Sequence, residues 1–309
     1  MSIMRSFFLA CSQSTWMRER ATRYGFVRRA VSRFMPGETA QDALSAAQQL
    51  QRVSIGCVFT RLGENITDRA EANQVTDHYL GVLDHIRELG LAGEVSVKLT
   101  QVGLDLSPDL AFENLVQIIQ HAGTAGVVWI DMEASNYVDV TLDIFRRARS
   151  QYTNTGICVQ AYLYRTAKDL ESLIPMGSAV RLVKGAYQES SAIAFPRKSD
   201  VDENYFKLAQ QLLSEQARSR GVRAAFATHD VKLIRRIIGY AESKRLGKSS
   251  FEFQMLYGIQ REEQLRLARE GWKSIVLIAY GSFWFPWYMR RLAERPANVF
   301  FVLRNLLSA

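Results

Sequence analysis

The chain has few of the residues that cross-link or metallate small domains. Three cysteines (Cys11, Cys57 and Cys158) stand in 309 residues, an odd count without a CxxC pair. That excludes a disulfide framework and a thiolate zinc site, and it fits a reducing compartment. Four histidines show no HExxH or comparable spacing, so no metal is expected. No GxGxxG occurs. LGKSS at 246–250 only imitates the end of a phosphate-binding loop, because Gly239 stands eight positions before Gly247 where five are needed. A dinucleotide-binding doubly wound sheet is therefore without its fingerprint. Long apolar runs are also missing. The run at 7–11 is shorter than a signal-peptide core, and the longest charge-free run, 274–289, is interrupted by Gly281 and Pro286 and too short to span a bilayer. No transmembrane helix is expected, and the expected location is cytoplasmic.

Apolar residue types make up 48% of the chain, ample for a large core. The formal charge of +8 is uneven: 1–34 carry seven arginines and one glutamate, 285–309 four arginines and one glutamate, and the middle is nearly neutral. Such ends suit a solvated helix face, or an anionic surface such as nucleic acid or the inner face of a membrane. Met17, Tyr24, Val27, Val31 and Phe34 form an apolar stripe at helical spacing among these arginines. Residues 1–52 are accordingly expected to be an N-terminal helical extension.

From residue 53 onward a short β-rich run alternates with a longer amphipathic stretch. Strands are expected at 53–60, 94–99, 126–132, 156–163, 179–187, 222–229, 251–256 and 274–280. Helices are expected over 112–123 and 204–221, with caps at Ser107 and Ser199. Eight such units in roughly 230 residues match an α/β fold of the closed (βα)8 barrel type, TIM-like and filling 53–309 as one domain with the extension appended. An open doubly wound sheet is the main rival.

A barrel sets its chemistry at the C-terminal ends of its strands. Those ends carry Lys98, Asp131, Gln160, Arg181, Lys184, Thr228, His229, Glu252 and Gln254. RLVKGAY at 181–187 puts two cations in an apolar run, where an unpaired charge is costly. Arg181 and Lys184 are three apart and cannot share a face, so the strand is expected to end or bulge near Val183, with Gly185 permitting close backbone approach. Lys98 and Asp131 on neighbouring strands are natural partners. In FPWYMRRLAERPAN, Pro286 suits the first turn of a helix. Arg290 and Arg291 then lie near the end where the helix dipole repels cations, which invites an anion, and Glu294 is placed to steady one guanidinium.

VSVKLTQVGLDL, WIDMEAS, VQAYLYR, RLVKGAY, FATHD, FEFQMLYGI and YMRRLAERPAN, in this order, resemble proline dehydrogenase. The resemblance implies a distorted (βα)8 barrel, non-covalent FAD, and oxidation of L-proline to 1-pyrroline-5-carboxylate in proline catabolism. It also implies electrons leaving to a membrane quinone and a handover of product to a pyrroline-5-carboxylate dehydrogenase. Carried over residue by residue, Arg290 and Arg291 look like the carboxylate clamp, with Lys98 a third positive charge, Asp131 orienting it and Glu294 holding the arginine pair. Met132, Gln160, Arg181, Val183, Lys184, Gly185, Ala186, Tyr187, Thr228, His229 and Gln254 are similar to the flavin-contacting set. In that set Arg181 would face flavin N5 and Lys184 the phosphate side. Leu256, Leu277 and Tyr280 correspond to the substrate pocket. One departure stands out: Leu277 occupies a position where the family usually has a tyrosine, which implies the same chemistry on 4-hydroxyproline or another cyclic imino acid as an alternative. Read from residues alone, two rivals remain. One is an aldolase-type barrel using Lys98 or Lys184 as a Schiff-base nucleophile. The other is a non-catalytic basic protein bound to RNA or a membrane.

Overall fold

Parallel pairing joins each strand to the next and the last back to the first, so the sheet has no edge and the open-sheet rival is excluded. A computed structural model describes residues 31–124, 126–285 and 287–289. The strands are β1 (Gly56–Arg61), β2 (Gly93–Val97), β3 (Val128–Ile130), β4 (Thr155–Gln160), β5 (Ala179–Val183), β6 (Arg223–Ala227), β7 (Phe251–Leu256) and β8 (Lys273–Tyr280). Most are shorter than the apolar runs that predict them, because the polar tails at 131–132, 184–187 and 228–229 leave the ladder and become loops at the mouth.

The helices that cover the barrel are α1 (Ala40–Gln51), α2 (Arg69–Glu88), α3 (Pro108–Ala122), α4 (Val138–Arg149), α5 (Thr166–Leu173), α6 (Lys198–Leu212), α7 (Glu215–Ser219), α8 (Val231–Ser243) and α9 (Arg261–Arg269). Helix α3 shows why they form. The Ser107 side chain accepts from Asp109 N, Pro108 sits in the first turn, and Leu110, Ala111, Leu115, Ile118, Ile119 and Ala122 line one buried face. The expected cap at Ser199 is corrected: α6 starts at Lys198, and Ser199 Oγ turns to Asp200. The long helix expected over 204–221 is broken, with Ser214 capping α7.

Strand parity divides the packing into two layers. Val95, Val97, Ile130, Ile157, Leu182, Phe226, Phe253 and Ile278 face the helices. Inside the barrel, Val58, Trp129, Ala179, Ala225 and Ile275 form a separate small cluster in which alanines on β5 and β6 make room for the indole. Helix α1 buries Ala43, Leu44 and Ala47 in the strand–helix layer, so its part of the extension shares the barrel's core.

A third cluster sits by the mouth between β7, β8 and β1, where Val31, Phe34 and Met35 pack on Trp284, Phe285, Trp287, Tyr288 and Met289, with Leu62, Ile259 and Ala279 beneath. Trp284 Nε1 donates to Glu38 at 3.0 Å. Gly258 makes this docking possible: its φ is +73°, and a Cβ there would lie 1.6 Å from the Arg33 carbonyl oxygen. Of the N-terminal stripe, Val31 and Phe34 are buried here, while Met17, Tyr24 and Val27 lie outside the described residues, as does Pro286. Among the described residues no helix is long and apolar enough to cross a membrane.

Candidate active site

All strands are parallel, so their C-terminal ends meet at one mouth. Lys98 follows β2, Asp131 follows β3, Gln160 closes β4, Lys184 follows β5, Thr228 and His229 follow β6, and Leu256 closes β7. Lys98 Nζ lies 3.8 Å from Asp131 Oδ2, the expected partnership. The carboxylate is held more closely by others: its Oδ1 accepts from Ser96 Oγ at 2.7 Å and from Arg181 Nη1 at 2.9 Å. Arg181, only 2% exposed, also donates through Nε to Gln254 Oε1 at 2.6 Å and through Nη1 to Ser96 Oγ at 2.9 Å. Its guanidinium carbon lies 4.5 Å from the centre of the Trp129 ring. β2, β5 and β7 are not all neighbours around the barrel, so these bonds run through its interior.

The polar chain continues toward the barrel floor. Gln254 Nε2 donates to Glu252 Oε1 at 2.7 Å, Arg223 grips Glu252 through two nitrogens, and on its other side Arg223 meets Glu94 on β2. Glu94 also accepts from Trp129 Nε1 at 2.7 Å. Glu252 is thereby corrected from a mouth residue to a floor residue. It is the second residue of β7, and Lys273, at the start of β8, reaches it at 2.7 Å. Burial pushes the Glu252 carboxyl up, but the charges and hydrogen bonds of Arg223 and Lys273 outweigh that and hold it below the usual range.

Lys184 turns away from this column, as three-residue spacing requires. β5 ends at Val183, and the Lys184 ammonium meets Asp202 and Asp230, which Lys198 also contacts. Burial pushes Asp230 up, but the two lysines hold it down at about 2. Gly185 has φ +113°, and a Cβ there would press into the Tyr162 ring at 2.3 Å; the close approach it permits is to that ring. Ala186 and Tyr187 continue the half-buried segment at the mouth. Asp230 N donates to Thr228 Oγ1, and Leu256 N donates to His229 Nε2 at 2.8 Å, which fixes that ring nitrogen as an acceptor.

Beside Asp131, Met132 and Glu133 carry backbone carbonyls that accept from Gln160 Nε2 at 3.3 and 3.0 Å. Two polar atoms here have no hydrogen-bond partner although buried: Arg181 Nη2, a donor, and Gln160 Oε1, an acceptor. Buried groups are seldom left so unless something else meets them. Leu256 and Leu277 are register partners on β7 and β8, forming an apolar wall. Tyr280 is corrected. Parity turns Leu277 inward and Tyr280 outward, where its hydroxyl lies 2.9 Å from His78 Nε2 on α2. Arg290, Arg291 and Glu294 lie outside the described residues.

The sequence reading missed Ser96 and Trp129, which look like strand filler, and the clamp at Glu189, which accepts from Ser135 N and Oγ at 2.8 and 2.6 Å and ties the β5 loop to the β3 loop. It also passed over Glu133, although WIDMEAS displays it. Burial pushes the Glu133 carboxyl up to about 7, with Thr100's two hydrogen bonds and Lys98 opposing.

With this geometry in place, comparison with known proteins is specific. The proline dehydrogenase family profile matches residues 43–304. Proline dehydrogenase 1 of Bacillus subtilis subsp. natto is 40% identical over 99% of both chains. Proline dehydrogenase of Deinococcus radiodurans is 37% identical over 89% of each. Among solved structures, proline utilization A of Bdellovibrio bacteriovorus, inactivated by N-propargylglycine, superposes with a TM-score of 0.81 at 23% identity. That match covers 94% of this chain and 36% of the larger protein, and it bears on the fold alone.

Proposed function

The chain belongs to the proline dehydrogenase family of oxidoreductases, and we propose that it converts L-proline to 1-pyrroline-5-carboxylate with FAD held at the barrel mouth and a quinone as final acceptor. The observation that carries the cofactor reading is the pair of unpartnered buried atoms, Arg181 Nη2 and Gln160 Oε1. A donor on β5 and an acceptor on the adjacent strand β4 fit the edge of an isoalloxazine, which offers both. Bound FAD supplies the two-electron acceptor that side chains lack.

The residues of the chain do the rest. Arg181, braced by Asp131, Ser96 and Gln254, offers its free Nη2 hydrogens without reorganising, which is where electrostatic catalysis gains most. Lys98, held near Asp131, adds a positive charge for the substrate carboxylate, and Arg290 and Arg291 are proposed to complete that clamp with Glu294 behind them. Leu256 and Leu277 exclude water from the ring face. Val183 to Tyr187, with Lys184, Thr228 and His229, would hold the remainder of the cofactor. The basic N-terminal residues are proposed to meet the membrane that carries the quinone, and the product would pass to a pyrroline-5-carboxylate dehydrogenase.

A second reading keeps the chemistry and changes the ring. Leu277 presents no hydroxyl to the pocket, which favours a substituted imino acid such as 4-hydroxyproline. The test of both is the visible spectrum of the purified protein under anaerobic titration. Bleaching of a flavin band by proline supports the first reading, and bleaching by 4-hydroxyproline at lower concentration supports the second. A protein that stays colourless when supplied with FAD refutes both. Arg290→Ala and Arg291→Ala are expected to raise KM for proline, and unchanged kinetics in both would refute the clamp.

A further inference from the structure

The chain of hydrogen bonds under Arg181 extends beyond any group that substrate or cofactor would touch. Glu252 is fully buried, and four contacts converge on it: Arg223 Nε at 3.1 Å and Nη2 at 2.9 Å, Lys273 Nζ at 2.7 Å, and Gln254 Nε2 at 2.7 Å. A carboxylate can only accept, so it draws the nitrogen of the Gln254 amide downward. The amide oxygen is left facing up, where it accepts from Arg181 Nε at 2.6 Å. The reversed amide would oppose two donors, its own NH2 and the guanidinium N–H.

Rotation of the guanidinium is then restricted at three points: Nε on Gln254, Nη1 on Ser96 and Asp131, and one face on the Trp129 ring. Only Nη2 is left over. The same Trp129 is fixed from below, because its Nε1 donates to Glu94 and Arg223 lies 5.4 Å from its ring centre. Floor and mouth are thus one mechanical unit, although Glu252 touches nothing at the mouth.

We infer that Glu252 is a positioning residue for Arg181: by fixing which way the Gln254 amide lies, it holds the guanidinium so that its free Nη2 amino group serves the flavin. This rests on the reading of Arg181 as a flavin contact. Glu252→Gln keeps shape and removes the constraint, since an amide at 252 can donate as well as accept and no longer dictates the Gln254 orientation.

The experiment is a double-variant cycle on the FAD-loaded enzyme with Glu252→Gln, Arg181→Lys and the two combined, reading the FAD dissociation constant and the flavin midpoint potential. Glu252→Gln is expected to weaken FAD binding about tenfold, the size of one loosened charge-assisted hydrogen bond, and to make the potential more negative. Arg181→Lys should do the same, and the combined variant should add little, because both act through one group. If the two effects instead multiply, Glu252 acts elsewhere and the inference is overturned while the site reading stands. If Arg181→Lys alone leaves affinity and potential as in the unaltered enzyme, Arg181 does not meet the flavin, and both fall. Should Glu252→Gln fail to fold, Gln254→Leu, which leaves Arg223 and Lys273 on Glu252, cuts the same link. It is expected to give the same two changes, and wild-type values for it would overturn the inference.

Discussion

Replacing Glu133 by glutamine should change how stability depends on pH, in a direction fixed by its surroundings. The carboxyl is 4% exposed and accepts from Thr100 N at 3.1 Å and Thr100 Oγ1 at 2.7 Å. Burial nevertheless dominates and raises its pKa from 4.5 to about 7. Between those values the native protein binds a proton that the unfolded chain has released. The stability linked to Glu133 is therefore fully present below pH 4.5, erodes as pH rises, and is gone once pH passes about 7. At 1.36 kcal/mol per pH unit, the gap from 4.5 to about 7 amounts to roughly 3 kcal/mol, or about 5 °C in Tm for a chain of this length. Glu133→Gln keeps the shape and an acceptor for Thr100 N, and it cannot ionise. Thermal unfolding of both proteins from pH 5 to 8.5 isolates the effect, because every other titrating group is common to the two. The variant is expected to gain on the parent as pH rises to about 7 and to hold that lead above it. A Tm difference that stays flat across that range would refute the reasoning.

Three other outcomes are expected. Asp131→Asn leaves Arg181 and Lys98 without their shared counter-charge in a buried setting, and should cost about 3 kcal/mol in urea unfolding as well as raising KM; wild-type stability would show that the three are not coupled. Gly258→Ala puts a Cβ against the Arg33 carbonyl and should undock the segment around Phe34, seen as faster proteolysis near residue 33 with the barrel's unfolding transition retained; an unchanged cleavage rate would contradict it. Leu277→Tyr returns a hydroxyl to the inner wall and should raise the kcat/KM ratio of proline over 4-hydroxyproline by about tenfold; an unchanged ratio removes Leu277 from the specificity determinants.

Much of the fold was legible because local signals agreed with the global one. Eight apolar runs at regular spacing, separated by amphipathic stretches, leave few closed arrangements, and all eight strands fall within or close to their expected ranges. The Lys98–Asp131 pair was legible because both follow adjacent strands. The partners of Arg181 were not. Ser96, Trp129 and Gln254 lie on β2, β3 and β7, as many as 85 positions away in sequence, and only closure of the barrel brings them to one point. Glu252, by contrast, was legible and misread: it is the second residue of a strand expected and found at 251–256, which in a parallel barrel puts it near the floor. Tyr280 could have been caught by parity, since a residue three beyond the inward Leu277 points out.

The charges at the mouth decide where an acid would bind. Lys184 and Lys198 face Asp202 and Asp230, two cations against two carboxylates, so that corner carries no surplus charge of its own. The floor is likewise balanced, with Arg223 and Lys273 against Glu94 and Glu252. Around Asp131 the balance differs, because one carboxylate faces both Arg181 and Lys98. Among these buried groups the surplus positive charge sits there, next to the free Nη2 of Arg181. Glu133 keeps that surplus intact only while it is protonated, since Lys98 is the cation that acts on it. The same proton that stabilises the fold below pH 7 therefore also preserves the attraction for a carboxylate. Above pH 7 an ionised Glu133 would compete with the substrate for Lys98.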